Sequence, residues 1–520
     1  MATAIVKIIG LVYKLPLQRL LGDDGYSYFI TAYDIYSVLL MISTTGLPVA
    51  MSRMISEART LGRTRQIRQI YATAKYVFLI IGLVGTGLMM GLCKWLGSSL
   101  MSQPESWFAI LCLSPAVLFI CLISADRGYF QGQSNMMPTS ISQILEAVCK
   151  LFVGLGAAFL FKKLTNDMIY AAGGGILGVT ASTMVSCIYL SVKRRKADKE
   201  LAAEECLDET VLSRKETARI LLAIAIPITL GAAGLQIITT VDTAVYMARL
   251  KGAAGFAAKA ANNRKGIYNF CQTVFNMPCA FITPITIGVI PAITEQLTMR
   301  RRRAANAVAE SAIRVMSLIA MPCSVGLMVL AEPIMQLLGK YPAGSDRLQL
   351  ATVLITILGA CVFFNSLVLV LNAVMQAHGF VVLPVITMVV GGIVRVIVTF
   401  ILVGNPNINI TGAAISTLTC YAIISALDIF CIRRVLRRPP KLLSNLYKPA
   451  IASVLMGAAA WGLNWFCQTR QFSLLLRTGL SILGAVVVYV ILVLQLKIIT
   501  RDDCTLLPKG DKIAKLLKIS

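Results

Sequence analysis

Charge is scarce in this sequence. Of its 520 residues only 14% are Asp, Glu, Lys or Arg, whereas 57% are hydrophobic. A soluble domain carries about 25% charged residues and needs a largely polar surface, which this composition cannot supply. A soluble enzyme, a secreted module and a disordered chain are therefore excluded.

Histidine and closely paired cysteines are also scarce. The chain has one histidine and 14 cysteines, and the cysteines lie mostly inside apolar runs without a close pair at metal-ligand spacing. They are interpreted as small core residues. The sequence predicts no metal site and no cofactor. Because no nucleophilic or metal-based site is recognisable, it also predicts that the chain is not an enzyme.

Long uncharged runs dominate what is present. Met168–Val192 has 25 residues without a formal charge, and Gly266–Thr294 has 29. About 20 apolar residues span a bilayer as a helix, so the pattern predicts an all-α polytopic membrane protein. The fourteen predicted helices cover 2–15, 27–51, 71–95, 106–125, 138–161, 169–192, 218–245, 267–294, 311–338, 350–376, 380–403, 411–432, 449–468 and 476–497.

Basic residues outnumber acidic ones, 49 against 24, which gives a net charge of +25. On a soluble protein this excess would suggest nucleic acid, but here the charges lie in short loops between spans and no nucleic-acid motif accompanies them. Most loop Lys and Arg fall on one side, and the positive-inside rule assigns that side, with both termini, to the cytoplasm. The sequence predicts a multi-pass cell-membrane protein with anionic membrane lipids among its partners.

One loop on the predicted outer side departs from this rule. Between the spans 218–245 and 267–294 the loop carries Arg249, Lys251, Lys259, Arg264 and Lys265. Two interpretations are equally open. Later loops can translocate despite their charge, or these cations meet an anionic substrate.

The chain contains an internal repeat. Gly46–Ala50 recurs as Gly288–Ala292, and Gly178–Thr183 recurs as Gly412–Thr417. Six predicted spans separate the matching motifs, so the two halves have the same orientation and form parallel repeats. This predicts an N-lobe at 1–217, a C-lobe at 218–445, and two extra helices with a basic cytoplasmic tail at 446–520. Two six-helix lobes with a cleft between them are typical of alternating-access transporters.

Several charged side chains lie inside the predicted spans. A charge in the bilayer core costs free energy, so such residues usually have a structural or functional role. Lys7 and Lys14 share one face of the span 2–15 without a carboxylate, which favours a cavity over lipid. Glu146 and Lys150 are spaced i, i+4, and an ion pair between them is favoured over direct substrate contact by Glu146. For Lys150, an ion pair with Glu146 and direct substrate contact are both open. Arg395 needs a partner from another helix or a water-filled cavity.

The remaining candidates allow two interpretations each. Asp34 and Asp242 could bind a coupling cation or pair with a nearby base, and the salt-bridge interpretation is preferred. Arg53 follows the Gly46–Pro48 break, where ordinary cytoplasmic charge and a position at the mouth of a cavity are equally supported. Arg249 joins these residues as a candidate for a cavity or ion-pair role.

Three segments resemble a known family. They are Arg127–Gln133 with Asn135–Thr139, Gly46–Glu57 at the end of the second span, and Pro291–Ile293 at the end of the eighth. In these segments the chain is similar to the polysaccharide-biosynthesis transporters typified by stage V sporulation protein B. That family lies in the multidrug/oligosaccharidyl-lipid/polysaccharide flippase superfamily. The resemblance extends over nearly the whole chain.

The resemblance implies a transporter that moves a lipid-linked saccharide across the cytoplasmic membrane, head group first, through a central cavity. In related lipid II flippases, cations from the first, second and eighth helices face that cavity. The matching segments here offer Lys7, Lys14, Arg53, Arg264 and Lys265. Arg395, which has no charged residue within four positions in the sequence, is added to this substrate-binding set. Lysine binds phosphate as a point charge, without the bidentate geometry of arginine.

The leading hypothesis is a flippase for an undecaprenyl-pyrophosphate-linked peptidoglycan or polysaccharide precursor. Cell-wall or polysaccharide synthesis enzymes are a further class of partner. A cation-coupled multidrug exporter of the same superfamily is the first alternative, and it predicts buried carboxylates where this chain has an excess of buried bases. A non-transporting membrane scaffold for cell-wall enzymes is the second, and it leaves the charges inside the spans unexplained.

Overall fold

The computed structural model describes residues 2–133, 135–203, 212–380, 382–436, 439–496 and 498. About 89% of the chain is helical, and no strand occurs among the described residues. The helices are α1 (Ala2–Thr44), α2 (Gly46–Thr60), α3 (Thr64–Gly91), α4 (Cys93–Trp95), α5 (Trp107–Gly132), α6 (Met137–Thr165), α7 (Met168–Ala203), α8 (Arg214–Lys251), α9 (Ala258–Thr298), α10 (Arg302–Val329), α11 (Ala331–Gly339), α12 (Asp346–Ala377), α13 (Val382–Val403), α14 (Thr411–Val435), α15 (Leu442–Thr469) and α16 (Leu474–Gln495). A π-helical turn (Leu96–Leu100) and a 3-10 turn (Pro104–Ser106) follow α4.

Eleven helices within the described residues are long and apolar enough to cross a membrane. One of these segments, Val12–Arg59, runs through α1 and α2 and contains the end of the predicted span 2–15 and all of the predicted span 27–51. Many large apolar side chains are exposed on the protein surface. In α13, for example, an 18-residue stretch has a mean hydropathy of 2.5, and only 17% of that stretch is buried. Such a surface is stable only against lipid, which confirms the predicted all-α polytopic membrane protein. The count of fourteen spans is consistent with this structure.

The first two spans meet without the loop that the sequence predicts between residues 15 and 27. Helix α1 instead continues through Pro16 and kinks at Gly22, whose φ of 66° and ψ of −178° are incompatible with a regular helix. A positive φ costs glycine little, so one residue is enough to redirect the chain. The predicted boundary at residue 15 was therefore wrong, because Pro16 does not end the helix.

Several helix ends carry capping residues that can be recognised in the sequence. Ser213 caps α8 by accepting a hydrogen bond from the backbone N–H of Glu216 at 3.2 Å, and Ser345 caps α12 in the same way through Leu348. A serine three residues before Glu216 is the capping-box pattern. Helix α6 starts with Pro138 in its first turn and ends at Asn166, which adopts the left-handed conformation. These signals fix where spans begin and end.

The chain forms two compact units, residues 1–266 and 267–520. In the first unit, α7 packs against α5 and α6, and α8 packs against α1 and α2. In the second, the core is built by α9, α10 and α12, with buried residues such as Ile282, Met316 and Leu371. The lobes at 1–217 and 218–445 and their parallel repeat remain a prediction, and the predicted basic tail beyond residue 498 lies outside the described residues.

Glu146 does not pair with Lys150, which corrects the sequence prediction. Its carboxylate lies 3.1 Å from the Arg127 guanidinium, and Arg127 also donates through Nε to the Ser142 hydroxyl at 3.2 Å. The Lys150 ammonium lies over the rings of Tyr13 and Tyr33 instead. An arginine from the neighbouring helix offers two donors in a fixed fork, and it outcompetes a lysine of the same helix for this carboxylate.

We expect the ion pair between α5 and α6 to appear as energetic coupling. In a double-mutant cycle, Arg127→Gln and Glu146→Gln should be non-additive by about 1 kcal/mol, because the pair is partly shielded from solvent. The matched cycle of Glu146→Gln with Lys150→Gln should be additive. Thermal unfolding of the purified variants in detergent measures both. Stronger coupling of Glu146 to Lys150 than to Arg127 would contradict this assignment.

Candidate functional site

A fully buried lysine lies in the first compact unit. Lys265, near the start of α9, has 0% exposure. Its ammonium donates to the Thr31 hydroxyl and, at 3.3 Å, to Gln103 Oε1. Among the described residues no carboxylate lies within ion-pair distance of this ammonium. Neutral oxygens solvate a buried charge but do not cancel it, so the site retains a net positive charge that favours an anion.

A close backbone contact places Lys265 against α1. A Cβ atom at Gly266 would lie 1.9 Å from the carbonyl oxygen of Asp23, so only glycine allows α9 to approach this part of α1. The acceptors are fixed in turn: Gln103 is itself fully buried and donates through Nε2 to the Ser27 hydroxyl at 2.7 Å. The side chains that hold Lys265 are therefore positioned before any ligand arrives.

Asp34 links Lys265 to a second lysine. It lies one helical turn beyond Thr31 on α1 and is the acidic neighbour of both Lys265 and Lys14. Lys14 has Lys150 as a cationic neighbour, and Lys265 has Lys251. These four residues, Lys14, Lys150, Lys265 and Asp34, are called the lysine cluster below. It contains three bases and one acid.

Aromatic rings take part in holding the lysine cluster. The ammonium of Lys150 lies 5.4 Å from the ring centroid of Tyr13 and 5.2 Å from that of Tyr33. The negative face of a ring attracts a cation and is worth about 0.5–2 kcal/mol, less than a buried carboxylate would supply. The Tyr13 hydroxyl donates to the Gly175 carbonyl at 3.0 Å, which fixes that ring. The rings therefore stabilise the Lys150 ammonium but do not neutralise its charge.

Sequence reasoning missed the aromatic stripe of α1. Tyr26, Phe29, Tyr33 and Tyr36 are spaced by 3, 4 and 3 residues, and consecutive ring centroids are 6.1, 6.3 and 5.7 Å apart. This spacing places all four rings on one helix face. The sequence carries this signal, because the helical spacing of the four aromatic residues predicts that they share one face of α1. Tyr33 on that face is one of the two rings over which Lys150 lies.

The structure brings together only part of the predicted substrate-binding set. Lys14 and Lys265 share Asp34 as a neighbour, whereas Arg53 is exposed on α2 and Arg264 lies over the Phe256 ring at 4.0 Å. Neither arginine is among the charged neighbours of Lys14 or Lys265. Of the predicted cations, Lys14 and Lys265 are therefore the two that share an acidic neighbour, and the substrate-binding set as a whole stays a prediction.

The remaining predicted residues are on α1, α8 and α13. Lys7 is on α1, but its side chain falls outside the described residues. Arg395 lies half-buried on α13 in the second compact unit. On α8, Asp242 is fully buried and Arg249 is half-buried in the last turn.

A second group of charged residues in the first unit was not predicted from the sequence. Asp126 accepts from the Tyr71 hydroxyl at 2.6 Å and lies 3.7 Å from Arg194. The Arg194 guanidinium stacks over the Tyr71 ring at 4.5 Å and also pairs with Asp198. Here acids and base satisfy each other, which is typical of a structural network. The contrast with the lysine cluster makes the latter the better candidate for a ligand site.

Comparison with known proteins identifies the family. The family model described as "Polysaccharide biosynthesis protein" matches residues 1–297, and the MatE model matches residues 227–401. Stage V sporulation protein B of Bacillus subtilis is 23% identical, with 98% of this chain and 96% of that protein covered. The lipid II flippase MurJ of the same organism is 23% identical, with coverage of 94% and 93%.

A solved structure of the same kind has the same fold. The structure of lipid II flippase MurJ in an inward closed conformation aligns with a TM-score of 0.71 and 14% identity, covering 94% of this chain and 96% of the other. Because the first family model covers more than half of the residues, the chain belongs to the polysaccharide biosynthesis protein family, within the multidrug/oligosaccharidyl-lipid/polysaccharide flippase superfamily.

Proposed function

We propose that this protein translocates an undecaprenyl-pyrophosphate-linked peptidoglycan or polysaccharide precursor across the cytoplasmic membrane by alternating access. The observation that carries the proposal is Lys265, a fully buried ammonium without a carboxylate at ion-pair distance among the described residues. A pyrophosphate is the anion that such a substrate would bring into the protein interior. It would supply the compensating charge that the lysine cluster lacks.

The balance of charge in the cluster fits a dianionic head group. Three lysines and Asp34 leave a formal excess of two positive charges, and Lys251 is a further cationic neighbour of Lys265. Binding a pyrophosphate would offset two of these positive charges. The negative charge of Asp34 would lower the affinity of the empty site for other anions. It would also help the substrate to dissociate on the other side of the membrane, as transport requires.

The choice of lysine has a mechanistic consequence. An ammonium is a compact point charge on a flexible stem, whereas a guanidinium holds phosphate in a rigid fork. Lysines can follow a head group as the surrounding helices move, without fixing one orientation. The polyprenyl tail would remain in lipid throughout, so that only the head group and sugars enter the protein.

Relatives add support. A chain with 23% identity over nearly its whole length is named a lipid II flippase. The MatE match favours the multidrug exporter as the second candidate. A cavity for cationic drugs would need buried acids in excess, and the lysine cluster has the opposite balance.

Depletion of the protein from its host tests the function directly. We expect a lipid-linked precursor to accumulate on the inner leaflet, detectable by its protection from reagents outside the cell. Unchanged precursor distribution together with increased drug sensitivity would favour the exporter. Unchanged distribution with mislocalised cell-wall enzymes would favour the scaffold.

Lys14 provides one test of the site. Lys14→Gln keeps much of the side-chain length and removes the charge, so we expect normal insertion and accumulation but loss of precursor translocation. Lys14→Arg should retain part of the activity, because the positive charge is kept. Complementation of the depletion strain measures both. Wild-type transport by Lys14→Gln would exclude Lys14 from the phosphate site.

Lys265 provides a sharper test, since it is fully buried and no carboxylate of the described residues lies at ion-pair distance from its ammonium. Lys265→Gln can still donate to Thr31 and Gln103, so the fold should persist. We expect translocation to fall by about tenfold or more, because a charge-assisted contact to phosphate is lost. Lys259→Gln is the matched control, as Lys259 is an exposed cation on the same helix. Equal transport by the two variants would contradict the assignment.

A further inference from the structure

Four consecutive arginines, Arg300–Arg303, form an exposed cationic corner in the second compact unit. They border a cavity of about 960 Å³ together with His378, Phe380 and Asn306. No carboxylate lines this cavity in the part of the chain that the structure describes. None of the four guanidinium groups makes an ion pair with a described residue. This is a concave surface whose charge has one sign.

The backbone at this corner is arranged for an anion as well. Arg300 has a φ of 58°, a conformation that non-glycine residues adopt at some cost. It turns the chain from α9 into α10, which begins at Arg302. No side chain caps α10, so its first N–H groups lack both helical acceptors and a capping oxygen. A helix start is electropositive, and cations placed there are unfavourable unless an anion joins them.

His378 adds an imidazole to the lining of the cavity. Its Nδ1 lies 2.8 Å from the Val374 carbonyl oxygen. That contact requires the proton on Nδ1, which leaves Nε2 to accept a hydrogen bond or, when protonated, to donate one. The cavity is therefore lined by four arginines and one imidazole, and the uncapped start of α10 lies at the same corner. All of these recognise phosphate oxygens.

We propose that Arg300–Arg303 with His378 form a binding site for a phosphate-bearing anion, distinct from the lysine cluster. The charge pattern assigns this corner to the cytoplasmic face, where the anion is either the head group of an anionic phospholipid or a soluble phosphate. Leu297, Phe380, Val435 and Leu436 give the same cavity an apolar wall, which suits the junction of a head group and its acyl chains. The site does not depend on the proposed transport substrate.

The test uses the full-length protein in nanodiscs and reads ligand binding from the thermal midpoint, Tm. One arm titrates phosphatidylglycerol into phosphatidylcholine discs, and the other adds inorganic pyrophosphate to pure phosphatidylcholine discs. A ligand that binds the folded state raises Tm with its concentration, which gives an apparent Kd. A response to phosphatidylglycerol identifies a lipid head group, and a response to pyrophosphate alone identifies a soluble anion. Either response supports the site if it depends on the arginines.

Three variants decide that dependence. Replacing Arg300–Arg303 by glutamine should weaken the apparent Kd by about tenfold or more, and replacing them by lysine should weaken it less, because the charge remains and only the fork is lost. The lysine variant also preserves the loop charge that sets topology. The control replaces four exposed cations of α7, Lys193, Arg195, Lys196 and Lys199, by glutamine. Wild-type binding by the glutamine variant, an equal loss in the control, or no Tm response to either ligand would overturn the proposal.

Discussion

A buried ammonium held only by neutral oxygens is the constraint on which the first compact unit depends. Lys265 sits where Gly266 brings α9 against the backbone of α1, and its contacts, Thr31 and Gln103, are themselves buried and bonded. An isolated charge in such surroundings is costly, and a protein that keeps one gives up stability for a function. The cationic neighbour of Lys265, Lys251, increases that cost, and Asp34 offsets part of it. An arriving anion reduces the remainder, so binding energy and folding energy are linked at this site.

The rest of the molecule distributes charge in two different ways. Asp126, Arg194, Tyr71 and Asp198 satisfy one another and hold helices together, as do Arg127 and Glu146. The lysine cluster and the Arg300–Arg303 corner instead keep an excess of one sign. Self-satisfied pairs are typical of structural contacts in low dielectric, whereas unbalanced groups are typical of sites that receive a ligand. This contrast, rather than the number of charges, separates the candidate sites from the scaffold.

Hydropathy alone was enough to predict the fold class, because lipid demands long apolar helices whatever their tertiary arrangement. Lys14 could be selected from the sequence as a charge inside a span without a carboxylate on its face, and Lys265 through the resemblance of its segment to the family. The partner of Glu146 could not: spacing along one helix pointed to Lys150, and Arg127 reaches it only because α5 packs beside α6. The contacts of Lys265 join residues separated by 162 and 234 positions, and no local pattern encodes them. Nor could the sequence show that Gly22 alone would replace a loop.

The most direct measurement of the central claim compares two ligands that differ only in the pyrophosphate group. One is an undecaprenyl-pyrophosphate-linked saccharide, and the other is the same saccharide on the uncharged polyprenol. Binding of each to the purified protein, counted by native mass spectrometry, should favour the pyrophosphate by about tenfold or more, as expected for charge-assisted contacts. The preference should shrink markedly in Lys265→Gln. Equal affinity for the two ligands, or an undiminished preference in that variant, would contradict the account.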